Sequence, residues 1–315
     1  DWPKPLHSVR GPFDTAKIDG ALDGMGNYGD ATWELGRKHL LQPDLITGMT
    51  LLLLARQPRR PRGENADHDS GITNGVSGKV WAREQFTIHR PVDRNDAFTV
   101  EGMSTGTHVR KGRRYSTTAS TSRTSTGEVF ATNLTTGLLS YRSEPDLADS
   151  VHGLGPEDTP EPDWDAARSN PHINKIRGHL QGASFGGERV LMSLEMMKAR
   201  DTDTPDNPIH SDPEAARQAG LARPIAGGSH VLSMALETVM RALGPQSLLY
   251  GANFDIRWKA PTEDGVHVIP RAVLVEAGDD RVVLEVHVDI VDGPTAMVGT
   301  IVIPLPNSLP AGGMA

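Results

Sequence analysis

The 315-residue sequence has no cysteine, and its 32 basic residues are outnumbered by 40 acidic ones. The absence of cysteine excludes disulfides, thiolate metal sites and cysteine nucleophiles. The net charge of −8 argues against nucleic acid as a main partner.

Long apolar runs are also missing. The longest uninterrupted one, residues 51–55, is far too short to cross a bilayer, and the sequence starts at Asp1 without an apolar signal core. We therefore expect a cytoplasmic protein with no membrane partner. No two histidines have the spacing of a zinc-binding helix, so we predict neither a metal site nor a cofactor.

What the sequence does contain is an internal repeat. Residues 43–48 (PDLITG) and 224–228 (PIAGG) each precede an apolar stretch, and a strand-like segment starting at Phe86 or Phe254 follows. This shared order predicts a duplicated unit, and the length suits two domains. We place the first domain at residues 1–150 and the second at 151–315.

The second half has the clearer local patterns. Apolar residues recur at helical spacing from Leu232 to Leu243, and the following Gly244-Pro245 predicts the end of that helix. Apolar and polar residues then alternate from Val282 to Ile290, which predicts a half-buried antiparallel strand, and residues 295–303 predict the next strand. One helix followed by antiparallel strands is typical of an α+β unit.

Two segments have no counterpart in the repeat. Residues 57–79 are polar and rich in glycine, which predicts a mobile loop or lid. Residues 143–170 are rich in proline, aspartate and glycine, which predicts the linker between the halves.

The strongest chemical signal is a short turn, Asp206-Asn207-Pro208-Ile209-His210, followed by the Gly227-Gly228 pair that opens the long helix. A histidine and a carboxylate can share a water molecule, and N–H groups at a helix N-terminus can hold an oxyanion. Each feature also has a structural explanation. His210 could brace the turn, Asp206 could be an ordinary turn residue, and the glycines could serve only to start the helix.

These residues carry a resemblance to a known family. Residues 207–210 (NPIH), 212–216 (DPEAA) and 224–228 resemble the hydratase-2 motif of MaoC-like (R)-specific enoyl-CoA hydratases. The whole chain resembles the double hot-dog members of that family, and residues 86–141 are similar to their N-terminal unit. The resemblance implies an α+β fold of two fused hot-dog units, each an antiparallel sheet wrapped around a long central helix.

The resemblance also implies a function. It predicts a lyase of fatty acid or polyketide metabolism that hydrates a 2-enoyl thioester, carried by CoA or an acyl carrier protein, or catalyses the reverse dehydration. His210 and Asp206 would handle the water while the Gly228 N–H holds the thioester carbonyl. The residues expected around the substrate are Asn207, Gly227, Ser229 and Gly48.

One departure from the family pattern keeps alternatives open. The family has Asp two residues before the Asn, where this chain has Pro205, so the acid is Asp206 or, as a second choice, Asp203. This difference favours two alternatives. One is a catalytically degenerate acyl-thioester-binding protein, and the other is a hot-dog enzyme repurposed for another carbonyl substrate in secondary metabolism.

The first half lacks a counterpart of the acid-histidine turn. The resemblance implies that it is non-catalytic and accommodates the acyl group, although a pure scaffold role remains an alternative. A basic cluster of four residues could meet the phosphates of CoA or form an ordinary solvated strand end: Arg110, Lys111, Arg113 and Arg114. A monomer and a homodimer both fit, because fusion supplies the sheet pairing internally.

Overall fold

The computed structural model describes residues 3–55, 72–73, 76–77, 80–139, 144–153, 161–200 and 208–306. Most of the predicted lid and part of the predicted linker lie outside these ranges. The same holds for Asp203, Pro205, Asp206 and Asn207.

Strands dominate the fold. Those of the first half are β1 (Lys4–Pro5), β2 (Val9–Pro12), β3 (Ile72–Thr73), β4 (Val76–Ser77), β5 (Val80–Ile88), β6 (Ala97–Arg110), β7 (Arg113–Thr124), β8 (Val129–Leu138) and β9 (Ser150–Gly153). Those of the second half are β10 (Ser184–Gly186), β11 (Val190–Met192), β12 (Asn253–Trp258), β13 (Val266–Ala277), β14 (Arg281–Ile290) and β15 (Thr295–Pro304).

Most of the helices are short. They are α1 (Thr15–Asp23), α2 (Asp30–Arg37), α3 (Pro43–Thr47), α4 (Met49–Ala55), α5 (Ile173–Arg177), α6 (Leu194–Arg200), α7 (Pro213–Gln218) and α8 (Gly228–Leu243), with 3₁₀ turns at Gly26–Tyr28, Ala166–Ser169 and Pro208–His210. Among the described residues, no helix is both long and apolar enough to span a membrane.

One large antiparallel sheet joins the two halves. Its path among the described strands is β1-β6-β7-β8-β5-β12-β15-β14-β13-β10, with β2 and β9 also pairing with β6 and β11 with β13. Each half supplies four long strands, and the halves meet where β5 pairs with β12. The predicted α+β class, with antiparallel strands wrapped on helices, is confirmed.

The strand-like segment that occurs in both halves of the sequence lies at this junction. Phe86 on β5 lies opposite Phe254 on β12, and their rings stack with centroids 4.1 Å apart and planes 6° apart. The two phenylalanines therefore sit at the centre of the duplicated arrangement, where each half presents the same residue to the other.

The long helix α8 forms the core of the second half. Leu232, Leu236 and Val239 recur at helical spacing and are fully buried, and α8 packs against β10, β13, β14 and β15. The helix ends at Leu243 because Gly244 takes a φ of +116°, a conformation that favours glycine. The predicted helix and the predicted strands β14 and β15 are confirmed, with the helix beginning at Gly228.

The central helix of the first half is divided. Its two pieces, α3 and α4, meet at Gly48, and α3 packs against α8 of the other half. The long uninterrupted helix of the second half has no equal among the described residues of the first.

The N-terminal helices complete the core of the opposite half. The carboxylate of Glu237 on α8 accepts hydrogen bonds from the N–H groups of Ala31 (2.7 Å) and Thr32 (2.9 Å), so it caps α2, whose own N-cap residue Gly29 has no side chain to do so. The hydroxyls of Tyr28 and Thr238 lie 2.5 Å apart. The two halves are thus interlocked rather than merely adjacent.

The predicted linker is more structured than its composition indicates. β9 pairs with β6 and so extends the sheet of the first half. Further along, the Asp163 carboxylate lies 2.8 Å from Nδ1 of His89 on the outer side of the sheet, and the Glu161 carbonyl accepts a hydrogen bond from the Thr87 hydroxyl at 2.9 Å. Within the predicted lid, β3 and β4 pair with each other.

Candidate functional site

His210 ends the 3₁₀ turn Pro208–His210 and is partly buried. The next helix, α7, begins three residues later at Pro213, and the carboxylate of its N-cap residue Asp212 accepts hydrogen bonds from the N–H groups of Glu214 and Ala215. This cap fixes where the chain leaves the turn and therefore holds His210 in a defined position.

Two hydrogen bonds bring the two predicted motifs together. The Ile225 N–H donates to the Ile209 carbonyl at 3.2 Å, and Nδ1 of His210 lies 2.7 Å from the Ile225 carbonyl. A carbonyl only accepts, so Nδ1 carries the proton in this bond. In the neutral ring the nitrogen without a proton is then Nε2.

The N-terminus of α8 follows directly. Gly227 caps the helix, and its carbonyl accepts the first hydrogen bonds, from the N–H groups of His230 (3.0 Å) and Val231 (3.1 Å). The N–H groups of Gly228 and Ser229 precede these bonds and lie at the positive end of the helix dipole. They are the groups at this site suited to stabilising an oxyanion.

Two tryptophans pack against Gly228. A Cβ atom at this position would come within 2.8 Å of Cε3 of Trp81 and 3.2 Å of Cε2 of Trp258, and Nε1 of Trp258 donates to the Gly228 carbonyl at 3.1 Å. The ring centroids of the tryptophans are 5.1 Å apart. Aromatic packing is therefore sufficient to require glycine here, whatever a ligand also requires.

A buried ion pair lies behind the start of α8. The guanidinium of Arg200, at the end of α6, forms an ion pair with the Asp44 carboxylate of α3, and both side chains are almost fully buried. The same guanidinium donates to the Ala21 carbonyl at 3.2 Å and reaches the Ser229 carbonyl at 3.5 Å. These contacts tie four helices together, α1, α3, α6 and α8, beneath the candidate oxyanion donors.

His230 lies on the inner side of the same helix turn. Its Nε2–H donates to the Gly24 carbonyl at 2.8 Å. Burial lowers the pKa of His230 to about 3, and the nearby positive charge of Arg200 acts in the same direction. His230 is therefore neutral near pH 7 and joins α8 to the segment after α1, whereas His210 faces the motif loop.

The other predicted site residues are distributed unevenly. Asp206 and Asn207 lie outside the described residues, so their predicted roles stay predictions. Gly227 and Ser229 flank Gly228 in the first turn of α8. Gly48 lies between α3 and α4 with an ordinary helical φ of −61°, and so it is the C-terminal cap of α3, the helix packed against α8.

The basic cluster at the end of β6 and β7 meets acidic neighbours. The Arg114 guanidinium lies 3.2 Å from the Glu144 carboxylate, and the Lys111 N–H donates to the Asp149 carboxylate at 2.8 Å. This arrangement favours the solvated strand end over the phosphate contact.

Three residues at the site have no signal in the linear motif: Trp81, Trp258 and Arg200. Each reaches the start of α8 from a different element, and sequence spacing contains no information about such long-range contacts. The single hint was Trp258, which follows Phe254 within the repeated strand signature.

The comparisons with known proteins agree with this layout. Residues 202–262, which include the His210 turn and the start of α8, match the family described as MaoC like domain. A search of curated protein sequences finds no match.

Solved structures extend the similarity to almost the whole chain. A protein described as a MaoC-like dehydratase is 15% identical with a TM-score of 0.68, over 94% of this chain and 97% of its own. The peroxisomal multifunctional enzyme type 2 from Drosophila melanogaster is 16% identical with a TM-score of 0.61, over 94% of this chain and 48% of its own.

A third structure names the architecture. A conserved hypothetical protein from Mycobacterium tuberculosis, described as having a double hotdog fold, is 13% identical with a TM-score of 0.60, over 96% of this chain and 97% of its own. Together these similarities establish the fold, which is the double hot-dog found in MaoC-like dehydratases. At 13–16% identity they do not determine the reaction.

Proposed function

We propose that this chain, a double hot-dog fold whose residues 202–262 match the MaoC like domain, is a hydro-lyase. It hydrates a 2-enoyl thioester to the 3-hydroxyacyl form or catalyses the reverse dehydration. The observation that carries the proposal is the hydrogen bond between Nδ1 of His210 and the Ile225 carbonyl, three residues before Gly228. It supports the proposal because it holds the His210 turn to the residues that lead directly into α8, with the proton of the neutral ring on Nδ1.

The proposed chemistry uses these two groups together. Nε2 of His210 takes a proton from a water molecule as the water oxygen attacks the β-carbon. Negative charge then develops on the thioester oxygen, where the N–H groups of Gly228 and Ser229 stabilise it. Protonation of the α-carbon completes the addition, and the reverse sequence releases water from the 3-hydroxyacyl thioester.

The acid partner is proposed from the sequence. Asp206, four residues before His210, is the first choice and Asp203 the second. The thioester is carried by CoA or by an acyl carrier protein, and residues 1–150 form the non-catalytic half that receives the acyl group. The interlocked helices of the first half support this division, because they place first-half residues directly behind α8.

A catalytically silent acyl-thioester-binding protein is the alternative. The contact of Trp81 and Trp258 with Gly228 favours it, since both rings crowd the helix start that a thioester carbonyl would approach. The two candidates differ in one measurable respect, which is turnover.

A hydration assay separates them. Crotonyl-CoA and longer 2-enoyl-CoA substrates are incubated with the wild type, and loss of the enoyl-thioester absorbance is followed. His210→Ala is expected to lower kcat by roughly 10²–10⁴-fold, since general acid–base catalysis contributes that much. Asp206→Asn is expected to lower it as well. His287→Ala, which alters a histidine on β14 far along the chain, is the matched control and retains activity.

Two outcomes would contradict the proposal. Full activity in His210→Ala would remove the mechanism. Saturable binding of acyl-CoA by the wild type with no turnover of any CoA-linked or carrier-linked enoyl thioester would favour the silent binding protein.

A further inference from the structure

The inner faces of the two halves differ in polarity at matching positions. Outward from the central phenylalanines, the strand neighbours of Phe86 are Asn133 and then Ser120. The corresponding neighbours of Phe254 are Ile301 and then Leu284. Two inner-face positions are therefore aliphatic in the second half, where they are Ile301 and Leu284. The equivalent positions in the first half carry the amide of Asn133 and the hydroxyl of Ser120.

The adjacent rows repeat the contrast. The first half has Glu84, Thr135, Thr118 and Ser122 where the second has Ala252, Ile303, Val282 and Val286. All of these side chains are buried, and Glu84 and Ser122 are completely inaccessible to solvent. Six polar residues therefore occupy the inner face of one half at positions that are apolar in the other.

Only part of this polar set is satisfied internally. The Glu84 Oε1 atom accepts hydrogen bonds from the Asn133 amide (3.0 Å) and the Thr135 hydroxyl (2.9 Å), and the Ser120 hydroxyl lies 2.7 Å from that of Thr50 on α4. Oε2 of Glu84, Oδ1 of Asn133 and Oγ of Ser122 have no partner among the residues that the structure describes.

Unpartnered buried polar atoms are costly for folding. Each one loses its hydrogen bonds to water without replacement, whereas an aliphatic side chain at the same place would contribute to the core. Local conflicts of this kind concentrate at functional sites. The polar set is therefore better explained by a ligand than by packing.

The polar set lies next to the candidate active site. Glu84 is three residues after Trp81 on β5, and the Trp81 ring contacts Gly228. The pairing register of β5 shifts between Trp81 and Arg83, and three residues of strand span at most roughly 10 Å. Asn133 also reaches the α3–α4 segment, where its amide lies 3.5 Å from the Thr47 carbonyl beside Gly48. An acyl chain entering the first half from Gly228 would meet Glu84 at about this distance from its carbonyl.

We propose that Glu84 and Asn133 select an acyl chain that carries a hydroxyl group roughly 10 Å from the thioester carbonyl. This inference rests on the proposed function and specifies its substrate class. A hydroxyl group can accept a hydrogen bond from one residue and donate one to the other, whereas a plain alkyl chain can do neither.

The protonation of Glu84 matches this role. Burial raises the pKa of Glu84 to about 8, so the carboxyl carries its proton near pH 7. Oε1 already accepts two hydrogen bonds, so the proton resides on Oε2, which then donates to the substrate hydroxyl. The Asn133 Oδ1 atom accepts the hydrogen bond that this hydroxyl donates in return.

A binding comparison tests the inference without requiring turnover. The affinities of the intact chain for ω-hydroxydecanoyl-CoA and decanoyl-CoA, and for the matched octanoyl pair, are measured by isothermal titration calorimetry. These saturated chains cannot be hydrated. We expect at least one hydroxylated member to bind roughly tenfold more tightly than its plain partner. An apolar acyl site would give the opposite order.

Variants assign the preference to the polar set. Glu84→Leu and Asn133→Leu should reverse it. Glu84→Gln should keep it, because the amide N–H donates where the carboxyl O–H did. Thr117→Val is the matched control, since it removes a buried hydroxyl from the opposite face of β7, and it should leave the preference unchanged.

Each result has a distinct meaning. Equal or weaker binding of both hydroxylated chains by the wild type overturns the inference, even if the leucine variants do not fold. A preference that persists in folded Glu84→Leu and Asn133→Leu also overturns it. Crotonyl-CoA is too short to reach Glu84, so its hydration without a hydroxyl preference would leave the proposed function intact. A hydroxyl preference without any hydration would remove the proposed function and leave a selective binding protein.

Discussion

Replacing Glu84 by glutamine should make the protein more stable, and increasingly so as the pH rises. The side chain is fully buried, and burial raises the pKa of its carboxyl from 4.5 to about 8. Below pH 4.5 the folded and unfolded chains both hold the proton. Between pH 4.5 and 8 only the folded chain holds it, so ionisation of the unfolded chain favours unfolding.

The size of the effect follows from this interval. One pKa unit corresponds to about 1.4 kcal/mol, so the contribution of the carboxyl to the free energy of unfolding falls by about 5 kcal/mol between pH 4.5 and 8. Glutamine keeps the acceptor for Asn133 and Thr135 and cannot ionise. Glu84→Gln should therefore match the wild type near pH 4.5 and exceed it by several kcal/mol at pH 8.

Urea denaturation at pH 5, 6.5 and 8 measures this difference. The control is Glu101→Gln, which removes an exposed carboxylate from β6, elsewhere in the same sheet, and so separates the loss of a charge from the loss of a buried acid. If the free energies of unfolding of wild type and Glu84→Gln stay parallel from pH 5 to 8, Glu84 does not hold its proton in the folded state, and the reasoning fails.

Three further perturbations test the packing around α8. His230→Gln should make the free energy of unfolding less sensitive to acid. The pKa of His230 in the folded chain is about 3, below the usual 6.5, so the free energy of unfolding of the wild type falls by up to about 1.4 kcal/mol per pH unit between pH 6.5 and 3. Urea denaturation at pH 6.5 and 4 should show a smaller fall in the variant. Gly228→Ala should lower the free energy of unfolding by about 1–3 kcal/mol, because the new Cβ would come within 2.8 Å of the Trp81 ring. Thermal unfolding measures this, with Gly11→Ala as the control because a Cβ at Gly11 meets nothing within 4 Å. Equal effects of the two substitutions would contradict the prediction. Arg200→Met should lower the free energy of unfolding by about 3–5 kcal/mol, because it leaves the Asp44 carboxylate buried and unpaired. Adding Asp44→Leu should restore much of this loss in the same assay. A double variant no more stable than Arg200→Met would argue against the ion-pair explanation.

Local patterns predicted much of the fold. The apolar spacing from Leu232 to Leu243 identified α8, and the alternation from Val282 to Ile290 identified β14, because helices and strands impose those periods on any sequence that buries one face. The repeated strand signature at Phe86 and Phe254 predicted the duplication. These features depend on residues close in sequence.

The first half was harder to predict for a physical reason. In β7, seven of the nine residues from Ser116 to Thr124 are serine or threonine, and these polar residues face inward as well as outward. Without an apolar period, the sequence does not reveal which face is buried. The polar inner face around Glu84 therefore becomes visible only when the strands are aligned in space.

The candidate site also contains residues that the sequence motif predicts and residues that it does not. The motif predicted that His210 and Gly228 belong together, and the Ile209–Ile225 pairing brings their segments into contact. The tryptophans on Gly228 and the Asp44–Arg200 pair come from distant parts of the chain, and no spacing rule encodes them. Tertiary contacts of this kind are where reasoning from a single sequence ends.

The capping of α2 by Glu237 has a consequence for how the chain is made. The bonded residues Ala31 and Glu237 are 206 positions apart. At about 5–20 residues per second, a ribosome needs roughly 10–40 s to synthesise the intervening chain. During that time the N-terminal helices have emerged while the carboxylate that completes α2 does not yet exist. The first half therefore cannot reach its final structure until α8 has been translated.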